Sequence, residues 1–442
     1  VLGSAGQRIV ELGGEPVAWF GRYGYEALMP SRWLKITGNK DFELTQHQEG
    51  DMLTRQFTEE QVMFREAYRR FLAEEVVPHM ERFREQGVVN RDIFKKAGEQ
   101  GFLMVWPEER HGGMDDYDIR WEQVIIEELA YARCSDWFGS LHSRIVGPYI
   151  TRFGTEDQIE RYIPDAVSGD IILAVAMTEP DAGSNLAGMR THAVEEDDHW
   201  VLNGQKTYIS NGINCDLVVV AAKTDPQNNP HAMTLFLVEA GWEGFERGRN
   251  LNKLGLKAQD TAELFFNNIK VPKSNVLGEA HKGFYYLMEG LAEERLLGAM
   301  GYLAAAQLSW DLTADFVRER EVFGKPLAAM QNTQFKMAEL RAELDIAQCF
   351  VDQAALAFNA GTLSAEDAAA AKLKTSELQQ RVADEGLQLH GGAGFMDEYP
   401  ISRQSADAKI ATIYAGSSEI MKLIIGRHCL GDHYDPFNQR NF

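Results

Sequence analysis

About a hundred residues of strand-like sequence stand between two long helical stretches, and few architectures accept that order. From residue 171 the chain runs through IILAVAMT, WVLNGQKTYIS, DLVVVAAKT, MTLFLVEA and ELFFNNIKVP, short runs rich in β-branched and aromatic residues that stop at Pro272. Asn203-Gly204 inside the second run predicts a hairpin turn. Ahead of this block, from residue 57 to about 166, apolar residues recur at helical spacing. The first helix opens with Thr58-Glu59-Glu60-Gln61, a capping-box arrangement. After Gly283 the helical period returns and persists to about residue 430, through the Ala-rich AEDAAAAKLKTSELQQRVADEGLQL. The chain therefore reads as α+β: a helical domain over 56–170, a β domain over 171–280 and a second helical domain over 281–430. A 1–55 extension and a 431–442 tail flank them, and there is no internal repeat.

The first fifty residues stand outside this scheme, rich in Gly and aromatics (Trp19, Phe20, Tyr23, Tyr25, Trp33) and without a sustained period. Met52 reads as a natural start, with Val1 a literal translation of an upstream codon; a genuine extension that docks on the surface is the other reading.

Charge and composition exclude several function classes. A net charge of −22 over 442 residues argues against nucleic acid or an anionic membrane as partner, so an anionic ligand needs a local basic patch. No apolar run approaches the roughly 18 to 20 residues of a membrane span, and the opening VLGSAGQRIVELGG carries neither a secretion signal nor an Arg-rich transit pattern. Cys134, Cys215, Cys349 and Cys429 stand far apart without CxxC spacing, which predicts neither a disulfide framework nor a zinc or other metal site and fits a reducing compartment.

One charged residue is out of place. In GLAEERLL (290–297), Glu294 has Leu291, Leu297 and Gly298 at helical spacing and Leu287 two turns back, whereas Glu293 has Glu289 and Gly290 behind it. A long side chain can snorkel from such a face to water, or the carboxylate can be there for its chemistry.

Phosphate sites of the familiar kinds are absent, since no GxGxxG follows the first strand and no GxxxxGKS/T occurs. Three other segments could approach a dinucleotide. MTEPDAGSN (177–185) leaves a strand through Pro180 into a small-residue loop bearing Thr178 and Ser184; plain turns look the same. QLHGGAGF (388–395) ends a helix at paired glycines, which also make an ordinary C-cap. RERevFGKP (318–326) offers Arg320 as a cation for a phosphate, or is a solvated charge run.

Taken together, MTEPDAGS, NGQKTYISNG, GLKAQDTAELFF, ERxxFGKP, LHGGAGF and IYAGSSEI resemble the acyl-CoA dehydrogenase family, in the family's order and over about residues 57 to 428. KGFYYLMEGLAEERLL and AQDTAELFF look most like the long-chain members. The resemblance implies a central antiparallel β-sheet or barrel domain and a C-terminal four-helix bundle. It implies an FAD flavoenzyme, usually a homotetramer, that oxidises the Cα–Cβ bond of a fatty acyl-CoA to a trans-2-enoyl-CoA and passes electrons to electron-transfer flavoprotein. An acyl-CoA oxidase, a flavoenzyme with another substrate, and a non-catalytic FAD- and CoA-binding protein share the fold. The compartment it implies is bacterial cytoplasm or mitochondrial matrix.

By the same resemblance, Met177, Thr178 and Ser184 on one side and Tyr208, Ile209 and Ser210 on the other meet the flavin and its ribityl chain. Arg320, Phe323, Gln331 and the segment Gln388, Leu389, His390, Gly391 and Gly392 meet pyrophosphate and adenine, partly across a subunit interface. Ser417, Ser418 and Glu419 also border FAD, and Ser184, Tyr285, Arg295, Ala415 and Gly416 border the acyl-CoA. One position departs from the commonest pattern: Ala415 stands where many members carry the proton-abstracting glutamate. Long-chain and isovaleryl members carry the base on a helix instead, at the Glu of an E-R-L sequence, which here is Glu294. An apolar surround would raise its pKa and strengthen it as a base. Gly290 and Ala292 beside it suggest room for a long or branched chain.

Overall fold

The computed structural model describes residues 55–225, 229 and 232–431, so the 1–54 part of the extension and the 432–442 part of the tail lie outside the described residues. Its first helix, α1 (Glu59–Phe71), starts at the predicted capping box: Gln61 N–H donates to Thr58 Oγ1 at 3.2 Å and Thr58 N–H to Gln61 Oε1 at 3.1 Å. It passes through a π-helical turn (Leu72–Val76) into α2 (Met80–Gln86), which Gly87 ends at φ 77°. Then come α3 (Arg91–Glu99), α4 (Arg120–Tyr131), a second π-helical stretch (Leu141–Val146), α5 (Gly147–Phe153) and α6 (Glu156–Ser168). Pro148 accounts for the second π stretch: it has no amide to donate, and its ring pushes aside the carbonyl one turn back. Phe71, Phe94, Phe102, Trp121 and Trp137 fill the core beneath these helices.

Strands β1 (Leu173–Ala176), β2 (His192–Glu195), β3 (His199–Ser210), β4 (Leu217–Lys223), β5 (Met233–Glu239), β6 (Phe245–Asn250), β7 (Thr261–Pro272) and β8 (Val276–Leu277) form one sheet in the order β6-β7-β3-β2-β4-β5-β8, with β1 on β4. Two expectations are corrected here. The sheet is mixed rather than wholly antiparallel, because β1 and β2 both meet β4 in parallel. Asn203-Gly204 is not a hairpin turn: β3 runs straight through it, and the register against β7 slips between Leu202 and Gly204. Gly204 is a bulge at φ 148°, where a Cβ would stand 2.4 Å from Thr191 Oγ1. The chain reverses earlier, at residues 196–198, where Glu196 N–H donates to His199 O at 2.8 Å.

The third region is built on α7 (Gly283–Glu319), 37 residues and about 55 Å long. It packs with α8 (Gln331–Asn359) and α9 (Ala365–His390), and α11 (Ser418–Leu430) lies against α9; these are the four helices of the expected bundle, and the short α10 (Pro400–Ala408) joins their end. Buried Ala299, Ala306, Ala354, Ala355 and Ala371 let the axes approach, while Leu296, Leu303, Leu344 and Val351 fill the seam. α7 also touches α4, α5 and β5, and its residues Glu293 to Leu297 are all buried.

Candidate active site

Glu294 lies buried on α7, and Tyr149 of α5 donates its hydroxyl to Glu294 Oε1 at 2.8 Å. Burial raises the Glu294 carboxyl above its ordinary range; the Tyr149 bond and the Arg295 charge pull the other way, and Glu293 pushes with burial. Arg295 is itself buried, its Nε has no hydrogen-bond partner among the described residues, and desolvation lowers its pKa despite Glu294 beside it.

Glu293, read from the helix pattern as the more polar of the pair, is buried as deeply. Arg144 Nε donates to its Oε1 at 2.6 Å and Arg152 pairs with its Oε2, while Arg144 lies over the Tyr117 ring at 3.9 Å. Helical periodicity compares a residue only with its own helix, whereas other elements bury every residue of α7 from Glu293 to Leu297. A narrow pocket between α5 and α7, walled by Ile145, Pro148, Phe153 and Gly290, reaches both carboxylates. Gly290 is not open room for a substrate chain, contrary to the expectation above: a Cβ there would stand 2.7 Å from Tyr149 Oη, so the tyrosine hydroxyl occupies that space.

A second group gathers at the ends of β1 and β3. Met177 and Thr178 leave β1, and Thr207 N–H donates to Thr178 O at 2.9 Å. Lys206 Nζ, wholly buried, donates to Met177 O and Glu179 Oε1, each at 2.9 Å, and Glu179 in turn accepts the amides of Arg190 at 2.6 Å and Thr191 at 3.0 Å. Burial takes Lys206 down to about 8, and the bonds it makes hold the loop of Ser184 against β3. Ser184 and Tyr208 are exposed, Tyr208 at φ 59°, while Ile209 is buried and Ser210 Oγ accepts from Gln259 Nε2 at 2.8 Å.

The third group sits where α7 and α9 end together, joined by the stacked rings of Phe316 and His390 with centroids 4.0 Å apart. Arg320 caps α7, and its guanidinium meets no carboxylate among the described residues. Phe323 follows at φ 52° and 98 % exposed, then Gln331 at the start of α8. Gln388, Gly391 and Gly392 are exposed, Leu389 is half-buried, and His390 is buried with Nδ1 2.7 Å from Gly386 O.

The loop into α11 forms the fourth group. Ala415 adopts φ 52° and Gly416 φ 90°. Lys372, inside α9 and fully buried, donates to Ala411 O at 2.7 Å and Gly416 O at 2.6 Å, and burial with the nearby Arg295 charge takes it down to about 8. The Ala415 amide N–H has no hydrogen-bond partner among the described residues. Ser417 caps α11, Glu419 is exposed, and the buried Ser418 Oγ has no hydrogen-bond partner among the described residues. Tyr285, on the first turn of α7, is exposed.

Three family models cover nearly all of the described chain: the acyl-CoA dehydrogenase N-terminal domain matches residues 58–170, the middle domain 174–269 and the C-terminal domain 281–430. The chain belongs to the acyl-CoA dehydrogenase family. It is similar to the mitochondrial long-chain specific acyl-CoA dehydrogenase of Sus scrofa, 45% identical over 382 residues that span 86% of this chain and 89% of that one. A crystal structure of acyl-CoA dehydrogenase from Geobacillus kaustophilus superposes with a TM-score of 0.83 at 46% identity, covering 85% of this chain and 99% of the other. A glutaryl-CoA dehydrogenase from Mycobacterium smegmatis, solved in complex with FADH2, gives 0.79 at 30% identity over 85% and 95%.

As an acyl-CoA dehydrogenase family member, this chain carries several site features that sequence reasoning passed over. Tyr149, the Arg144–Glu293–Arg152 cluster and Lys372 bear no local signal, because their partners are remote in the chain. Lys206 and Glu179 stand inside NGQKTYIS and MTEPDAGS, but nothing in either segment marks them as partners. The Arg320 guanidinium and the Ser418 Oγ fit a phosphate-bearing cofactor, being polar groups without hydrogen-bond partners among the described residues.

Proposed function

We propose that this chain catalyses the FAD-dependent α,β-dehydrogenation of a medium- or long-chain fatty acyl-CoA to the trans-2-enoyl-CoA, a step of fatty-acid β-oxidation, with Glu294 as the base. The observation that carries the reading is the pairing of a buried carboxyl of raised pKa, Glu294, with an unengaged backbone donor at Ala415, the position that lacks a carboxylate of its own.

A thioester α-C–H is too weak an acid for a carboxylate unless charge on the carbonyl oxygen is stabilised as it builds. Each donor already aimed at that oxygen contributes about 3 to 4 kcal/mol in comparable sites. The Ala415 N–H is such a donor, and Lys372 keeps it in place through the Gly416 carbonyl, so the loop serves without a glutamate. Glu294 takes the α-proton; its raised pKa makes it a stronger base than a solvated carboxylate. Met177, Thr178, Ser184, Tyr208, Ile209, Ser210, Arg320, Phe323, Gln331, the 388–392 segment, Ser417, Ser418 and Glu419 would hold FAD, while Ser184, Tyr285, Arg295, Ala415 and Gly416 would border the acyl-CoA. When bound, FAD supplies the acceptor for the β-hydride.

Electrons pass onward to electron-transfer flavoprotein, and the working unit is a homotetramer. Exposed Phe335, Ile346 and Phe350 on one stripe of α8 support the assembly. The compartment is bacterial cytoplasm or mitochondrial matrix; no helix among the described residues is long and apolar enough to cross a membrane.

Anaerobic titration of the purified flavoprotein with acyl-CoAs of increasing chain length tests cofactor, reaction and substrate class together. Bleaching of the flavin, strongest with medium or long chains and followed by fast reoxidation with electron-transfer flavoprotein and slow reoxidation in air, is the expected result. Fast reoxidation in air would make the enzyme an oxidase, and no bleaching with any acyl-CoA would leave a binding protein.

A further inference from the structure

The segment 144–152 grips α7 at two consecutive residues. Arg144 and Arg152 hold the Glu293 carboxylate from either side, and Tyr149 between them holds Glu294. A helix held at neighbouring positions by three side chains can neither rotate nor slide, so the geometry of the second carboxylate is set by the first. The two Glu294 oxygens are treated differently. Oε1 accepts the tyrosine proton, whereas Oε2 has no hydrogen-bond partner among the described residues and is not sealed from open space.

We propose that Tyr149 is the positioning residue of this site: its hydroxyl fixes the Glu294 carboxylate by Oε1, presents Oε2 as the proton-accepting atom, and requires a glycine at position 290. The proposal rests on Glu294 being the base. Gly290 supplies its second leg. A Cβ on that residue would lie 2.7 Å from Tyr149 Oη and 3.5 Å from Glu294 Oε1, so any side chain would force the hydroxyl off the carboxylate. Alanine is otherwise the better helix former by about 1 kcal/mol, which makes a glycine in the interior of α7 costly unless the space is needed. The Tyr149 hydroxyl has no other hydrogen-bond partner among the described residues, and burial together with Glu294 pushes its own pKa well above 10, so the hydroxyl stays a donor throughout the working range.

Removing the hydroxyl should move a pH profile rather than simply slow the enzyme. The charged groups around Glu294 are Arg295 and Glu293 on its own helix, Arg144 and Arg152 reaching Glu293 from the π stretch and α5, and Lys372 of α9 beside Arg295. None of these changes in Tyr149→Phe. The lost bond favoured the carboxylate, so the carboxyl, already raised by burial, rises further and the basic form disappears at a higher pH.

The test measures flavin reduction by acyl-CoA against pH, with rapid mixing, in wild type, Tyr149→Phe, Gly290→Ala and Glu294→Gln holoenzymes. Infrared difference spectra of the protonated carboxyl band follow the same titration without turnover. In Tyr149→Phe the acid limb should move up by about one to two pH units. The rate should be about ten- to a hundredfold lower below the limb and near wild type above it. Gly290→Ala, which keeps the hydroxyl but displaces it, should shift the limb in the same direction. The infrared band should move with the limb and be missing in Glu294→Gln. A loss in Tyr149→Phe that is equal at every pH, or a wild-type profile beside an inactive Glu294→Gln, overturns the positioning role alone. Wild-type reduction in Glu294→Gln would instead remove the base on which the role depends.

Discussion

Lys372 Nζ lies 2.6 Å from Gly416 O, so a cation buried in α9 ties down the loop whose Ala415 amide has no hydrogen-bond partner among the described residues. The same ammonium reaches Ala411 O at 2.7 Å, and the loop is held at both ends by one side chain. Lys372→Met keeps much of the packing and leaves two carbonyls without a donor, at about 1 to 3 kcal/mol each. Denaturant unfolding should show a lower midpoint, and acyl-CoA should reduce the flavin more slowly because the loop no longer holds its amide in place. Unchanged reduction at lowered stability would confine Lys372 to a structural role.

The base can be sought at its two possible homes. Glu294→Gln keeps shape while removing the proton acceptor, so acyl-CoA should still bind while flavin reduction falls by about 10² to 10⁴. Adding Ala415→Glu restores a carboxylate at the loop position and should recover part of that rate, limited by a pocket packed for a methyl. Rapid-mixing measurements on both singles and the double decide between the helix and the loop.

Arg320 has no carboxylate partner among the described residues. Arg320→Ala should therefore leave the melting temperature of the apoprotein nearly unchanged and weaken FAD retention, since a cation that meets a phosphate is hard to replace with water. Stoichiometric flavin after extensive dialysis of the variant would count against a phosphate role.

Asp407 on α10 accepts the Leu256 amide at 2.5 Å at the meeting of the β-domain loop and the C-terminal helices, with Asp136 close by. Burial, reinforced by the Asp136 charge, raises its pKa from 3.8 to about 7. A carboxyl raised in the folded state contributes stability that is complete below its unfolded value and lost as pH rises through the folded one. Between pH about 4 and about 7 wild type should lose stability in proportion, whereas Asp407→Asn keeps the acceptor oxygen and should be flatter and more stable at pH 8. Thermal unfolding across that range, wild type against variant, measures the difference.

Much of this protein was decided locally and could be read from its sequence. The change from helical to strand period and back marked the helical, sheet and helical regions, because amphipathic periodicity reports which residues must face a core. The Thr58–Gln61 capping box formed as written, since its partners are three residues apart. The loops after β1 and β3, the end of α9 and the entry to α11 were legible as small-residue or glycine segments for the same reason.

Contacts between distant parts of the chain decided the rest. Asn203-Gly204 has the letters of a hairpin, yet Thr191, just ahead of the neighbouring strand, crowds it and β7 pairs with β3 on both sides of it, so it is a bulge. Glu293 has polar neighbours on its helix and is nevertheless buried, because Arg144 and Arg152 come to it from another element. Gly290 looked like space for a substrate until Tyr149 filled it, and the bond from Tyr149 to Glu294 joins residues 145 positions apart. A hydrophobic period can say that a carboxylate lies on the buried side of a helix; only the packing of remote elements supplies the donor that makes its burial tolerable and sets which oxygen is left free.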